Sequence, residues 1–137
     1  MFRRIQLLMA CVMTLAACAS VQVKPVIALP NGYYLQPNAK RQTELVKRDG
    51  KRVVPGPIAA YAVSGELVVG ALGEPSVASR SYTNDLPFQG GPDTRYFLLD
   101  TRSGQLDAPL DEAAWQSRLQ ERGAPKPLRI YAPLAWQ

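Results

Sequence analysis

The side chains that could do chemistry in this chain of 137 residues are few in kind: two cysteines, eleven carboxylates, sixteen lysines and arginines, and no histidine. The missing histidine removes the commonest general base and the commonest metal ligand. Neither a Ser-His-Asp nor a Cys-His arrangement can be assembled. A Ser–Lys pair would have to use Lys24, Lys40, Lys47, Lys51 or Lys126, but no S-x-x-K spacing occurs. Asp107, Asp111 and Glu112 cluster where a helix begins, and acids at that end simply favour the helix dipole. No Asp/Asn-rich loop has the spacing of a calcium site. Gln89-Gly90-Gly91-Pro92 is Gly-rich but lacks the G-x-x-x-x-G-K spacing of a phosphate cradle and reads as a turn. Paired carboxylates for a hydrolase are available in number, with nothing to single out one pair. The expectation is a non-catalytic protein without cofactor or metal, a carboxylate-dependent hydrolase being the weakest of the readings.

Cys18 is the most marked position. Arg3 and Arg4 precede a charge-free, mostly apolar run from Ile5 to Ala17, shorter than the about 20 residues that span a bilayer. A basic start, an apolar run and small residues at its end are the pattern of an export signal. Leu15-Ala16-Ala17-Cys18 resembles the lipobox of bacterial lipoproteins; Leu8-Met9-Ala10 before Cys11 is a poorer match. The resemblance implies removal of residues 1–17, a diacylglyceryl thioether on Cys18, and an acylated amino terminus. A thiolate suits that thioether chemistry, and three acyl chains exceed what stable anchoring needs. Ala19 and Ser20 follow in place of the Asp that retains many lipoproteins at the inner membrane. By this resemblance the protein goes to the outer membrane, on its periplasmic face. It covers Met1–Ser20 alone and concerns processing, not fold or activity. With Cys11 removed and Cys18 capped, no disulfide can form.

Two surface features invite a partner. Around Asp49-Gly50, the cations Lys40, Arg41, Lys47, Arg48, Lys51 and Arg52 outnumber Glu44 and Asp49 by four. A two-residue turn there would set Arg48 opposite Lys51 and Lys47 opposite Arg52, and opposed like charges are mildly destabilising. The functional reading is a grip on an anionic cell-wall or lipid surface; the plainer one is an edge hairpin kept soluble by charge. Nucleic acid is not an expected partner for an exported protein. The second feature is the long stretch 73–93. Either Ser76–Thr83 is a strand, or Tyr82, Leu86 and Phe88 form an aromatic contact surface for an envelope protein.

These features must be held by elements that the patterning suggests. Residues 18–31 alternate small, apolar and Pro residues; they read as a lipidated tether, or else Val26–Leu29 is an edge strand. A single α+β domain is expected over 32–137. Gly32–Gln36 suits a strand. Gln42–Arg48 and Lys51–Val54 flank Asp49-Gly50, a pair favoured in type I′ hairpins. Ile58–Val63 and Glu66–Leu72 flank Ser64-Gly65, and their nearly unbroken apolar run suggests strands covered on both faces. Tyr96–Leu99 and Gln105-Leu106 make a third hairpin. A helix over about 111–122 has Asp111 as its cap, Leu110 and Trp115 as a staple, and Gly123 as its stop. Leu128–Tyr131 is the expected closing strand. The fold class is thus α+β: a small antiparallel sheet of hairpins with one packed helix and a C-terminal strand.

Overall fold

In the computed structural model, which describes residues 26–74 and 87–133, seven strands form two antiparallel sheets, and one helix packs on the larger. The first sheet has the order β1-β2-β3, with β1 at Ile27–Ala28, β2 at Tyr33–Pro37 and β3 at Thr43–Lys47. The second runs β4-β5-β6-β7, from Ile58–Ser64, Leu67–Leu72, Arg95–Asp100 and Leu106–Leu110. The expected single sheet is therefore two. Ile27 pairs with Leu35 and Ala28 with Tyr34, so part of the stretch read as a tether is an edge strand of the fold.

Alternation along β5 and β6 explains why the larger sheet is apolar on both faces. Val68 and Leu99 are opposed on one face, where they join Leu35, Leu45, Ile58 and Phe97 in a core shared with the first sheet. Val69 and Leu98 are opposed on the other, joining Tyr96, Trp115, Leu119 and Ile130 in a core under the helix. Three layers result, with the four-stranded sheet in the middle.

The helix α1, Glu112–Glu121, is specified at both ends by local chemistry. Asp111 Oδ1 accepts the Ala114 N–H at 2.7 Å, and Leu110 reaches the same core as Trp115. At the other end Gly123 has φ +70, its N–H donates to Gln120 O at 3.0 Å, and the Ala124 N–H donates to Leu119 O at 3.0 Å. That pair of bonds is a Schellman motif, with Ala124 packed against the core that includes Leu119. Trp115 stacks on Tyr96 with ring centroids 4.5 Å apart and donates from Nε1 to Phe97 O at 3.0 Å. Among the described residues no helix is long and apolar enough to cross a membrane.

Three sequence expectations are corrected here. The closing strand Leu128–Tyr131 is reduced to one bridge, in which Tyr131 and Tyr61 exchange both backbone hydrogen bonds, at 2.9 and 3.0 Å. The 124–129 segment before it follows the helix end rather than a sheet edge, because the Schellman turn delivers the chain beside α1. The β4–β5 turn is Gly65-Glu66, not Ser64-Gly65, since Ser64 pairs with Leu67 and Gly65 takes φ +59 at the first turn position.

The third is the basic hairpin. Val46 bridges Arg52, Lys47 N–H donates to Lys51 O at 3.0 Å, and Gly50 N–H donates to Lys47 O at 2.9 Å. The loop has three residues, Arg48-Asp49-Gly50, with Gly50 at φ +84 forming the bulge after a type I turn. Lys47 is therefore opposite Lys51, Arg52 opposite Val46, and Arg48 lies in the turn. The Asp49 carboxylate stabilises this longer loop by accepting the Lys51 N–H at 2.9 Å.

The β2–β3 connection repeats that geometry without a glycine. Asn38 N–H donates to Gln42 O, Arg41 N–H donates to Asn38 O, and Asn38 Oδ1 accepts the Lys40 and Gln42 N–H groups. Arg41 occupies the bulge position at φ +59, where a Cβ is disfavoured. Arg41→Gly should stabilise the fold by about 0.5–1 kcal/mol, the relief of strain being partly offset by the greater freedom of unfolded glycine. Thermal melts of the two proteins check the sign.

Candidate functional site

The candidate surface is built on β3, a strand of five residues and so about 14 Å from first to last Cα. The two turns that carry its cations lie at opposite ends. Lys40 and Arg41 stand in the turn before Thr43, whereas Lys47, Arg48 and Lys51 stand at and beyond the strand's last residue. Arg52 lies between, beside Val46, with its Nε 4.0 Å from Glu44 Oε1. The six cations expected to act as one patch are divided by the length of the strand.

Each end has one acid but a different number of cations. At the Lys40–Arg41 end Gln42 donates through Nε2 to the Glu74 carboxylate, which brings a negative charge to that turn. At the other end Lys47, Arg48 and Lys51 are all exposed, and none forms an ion pair among the described residues. The one acid of that turn is Asp49, which accepts the Lys51 N–H, and the opposed Lys47 and Lys51 repel each other across the ladder.

Of the aromatic surface expected in 73–93, Tyr82, Leu86 and the alternative strand Ser76–Thr83 lie outside the described residues, as does Cys18. Phe88 is described, and it does not stand free. It packs half-buried against the core under α1, and its N–H donates to Ile130 O at 2.8 Å. Its apolar ring found a partner inside the fold once the 124–131 segment passed beside it.

A feature with little sequence signal lies along α1. Clefts of about 370 and 380 Å³ both take Gln116 and Leu128 into their walls. The second is also bounded by Phe88, Tyr96, Glu112 and Arg129. Burial, and then the Glu112 carboxylate, push the Tyr96 hydroxyl above the ordinary tyrosine range. Burial alone raises Tyr61. Among the described residues no three His, Cys, Asp or Glu side chains converge as metal ligands do.

One carboxylate is strongly placed for structural reasons. Asp100 ends β6, and its Oδ2 accepts from Arg122 Nη1 at 2.8 Å, while Oδ1 accepts the Arg102 and Ser103 N–H groups. The Arg122 bond first, and those backbone donors after it, hold its pKa below the ordinary aspartate value. A carboxyl depressed on folding stabilises the native state above its unfolded pKa, and that contribution is lost as pH falls through the lower folded pKa. The parent should therefore lose stability below about pH 4, and Asp100→Asn should remove that part of the dependence. Urea midpoints measured across the acid range in both proteins check this. Set against known proteins, the chain matches no family model, no curated relative and no solved structure, so its functional reading stands on its own residues.

Proposed function

We propose that this chain is a bacterial lipoprotein, lipidated at Cys18, whose folded part is a non-catalytic interaction module of the cell envelope, held at the periplasmic face of the outer membrane. The observation that supports it most is how soon the fold begins after the lipobox-like Leu15-Ala16-Ala17-Cys18. Strand β1 starts at Ile27, and Leu29 is already in the core. The eight residue-to-residue steps from Cys18 to Val26 reach at most about 29 Å when fully extended. A chain built this way keeps its domain within about 29 Å of the membrane that holds the lipid and presents its surfaces to whatever lies next to that membrane.

The test is the lipidation itself. Cys18→Ala should abolish labelling by radioactive palmitate and leave the precursor uncut, because in the family this segment resembles the thioether forms before cleavage. Cys11→Ala should be labelled and cut like the parent. Normal acylation of Cys18→Ala, or loss of it in Cys11→Ala, would overturn the assignment of the lipid to Cys18.

A further inference from the structure

The two ends of β3 are not equivalent with respect to the anchor. Strand β1 is antiparallel to β2, with Ile27 opposite Leu35 and Ala28 opposite Tyr34. The chain before Ile27 therefore joins the sheet at the end where β2 finishes, at Pro37, and where the turn carrying Lys40 and Arg41 lies. The turn Arg48-Asp49-Gly50 is at the other end, level with Tyr33, which pairs with Lys47. The end nearer the anchor has the Glu74 carboxylate beside its turn. The end farther from it carries three exposed cations to the one Asp49 carboxylate, with no ion pair among the described residues and two of the cations directly opposed.

We propose that Lys47, Arg48 and Lys51 form a binding site, turned away from the anchoring membrane, for a carboxylate-bearing cell-wall polymer. The inference rests on the lipoprotein reading for its sense of direction, since the lipid defines which end of the sheet is distal. The physical case has three parts. A turn fixed by Gly50 at φ +84 and by the bond from the Lys51 N–H to Asp49 holds the backbone positions of the cations in one arrangement before binding. An opposed Lys47–Lys51 pair is disfavoured when alone and relieved by an anion placed between its ammonium groups. Closely spaced fixed charges on a polymer meet several cations at once, which favours a polyanion over a single ion. Headgroups of the protein's own membrane are the less favoured target, because the site lies at the end of the sheet opposite to chain entry.

The experiment uses the full acylated chain in vesicles of zwitterionic lipid and measures capture of soluble, fluorescent cell-wall fragments. Three proteins are compared: the parent, Lys47→Gln/Arg48→Gln/Lys51→Gln, and Lys40→Gln/Arg41→Gln. The parent should capture fragments, less so as salt rises. The distal variant should lose about tenfold or more of that affinity, as expected when three cationic contacts go, while the proximal variant holds close to parent. Adding anionic lipid to the anchoring vesicle should leave capture unchanged. Equal capture by parent and distal variant overturns the proposal, as does a loss confined to the proximal variant. Capture abolished by anionic lipid in the same bilayer assigns the site to the membrane instead and also overturns it. Melting curves should show the distal variant as stable as the parent or slightly more so, since a repulsion is removed. Palmitate labelling of the parent is scored separately. An unlabelled parent would defeat the lipoprotein reading, and sedimentation of that chain with insoluble wall would still decide whether the three cations bind the polymer.

Discussion

Trp115→Ala should destabilise the protein by about 3–5 kcal/mol, the range for deleting a large buried aromatic, and lower Tm by more than about 10 °C. Trp115 is 3% exposed and lies where α1 meets the central sheet. It makes three separable contributions there. Its ring stacks on Tyr96 at 4.5 Å, its Nε1 satisfies the Phe97 carbonyl at 3.0 Å, and its bulk fills the core shared with Leu98, Leu119 and Ile130. Truncation to alanine removes all three and leaves a cavity beside a strand that is buried on both faces. Trp115→Phe separates the terms. It keeps a ring over Tyr96 but loses the Nε1 bond to the Phe97 carbonyl, which should cost about 1 kcal/mol. Urea unfolding of the three proteins, with unchanged slopes, checks the order parent, Phe, Ala. A Trp115→Ala protein that melts with the parent would mean that α1 is not fastened through this residue.

The same residue shows why the helix was legible in the sequence. Asp111, Leu110, Trp115 and Gly123 act on neighbours within a turn or two, so their chemistry is readable at short range. The apolar run from Ile58 to Leu72 was legible for a similar reason, because two-sided burial leaves no polar positions to alternate. What escaped reading depended on distance or on choices of nearly equal energy. Asp49-Gly50 suits both a two-residue and a three-residue turn, and the one-residue difference moved Lys51 from Arg48 to Lys47. Arg41 gave no turn signal, since a positive φ is uncommon for arginine. Leu128–Tyr131 has strand-like residues, but the Schellman turn and the bond from Phe88 to Ile130 O decide where it runs. Division of the first sheet from the second had no local mark at all. For the candidate surface, the cations were visible as a count, whereas their separation to two ends of β3 came from register. Cys18 carries the reverse lesson: the lipidation proposed for it rests on the residues around it in the sequence, independently of the fold.

Gly70→Ala should unfold much of the protein at temperatures the parent tolerates, with a loss of about 3 kcal/mol or more, at or beyond the usual upper end for overpacking. Nothing in its backbone angle requires glycine; the constraint is space. A Cβ at this position would lie 2.0 Å from Ala60 O and 2.9 Å from Phe97 Cε1. The first neighbour is backbone of the adjacent strand β4, next to the irregular step between Ile58 and Ala60, and cannot swing aside. The second belongs to a fully buried ring packed in the core between the sheets. One added methyl therefore has to push β4 from β5, disturbing the pairing of Tyr61 with Gly70 on which the middle layer depends. Two further variants separate the causes. Phe97→Leu alone should cost about 1 kcal/mol, and adding it to Gly70→Ala should restore only part of the loss, because the contact with Ala60 O remains. A double mutant as stable as Phe97→Leu alone would show that the ring, not the backbone, excludes a side chain at position 70. A Gly70→Ala protein with the parent's urea midpoint would mean that the two central strands do not approach as closely as the fold requires. The expected outcome is a large, mostly unrescued loss, which would place a close approach of two strands where the sequence shows only a glycine inside an otherwise favourable strand.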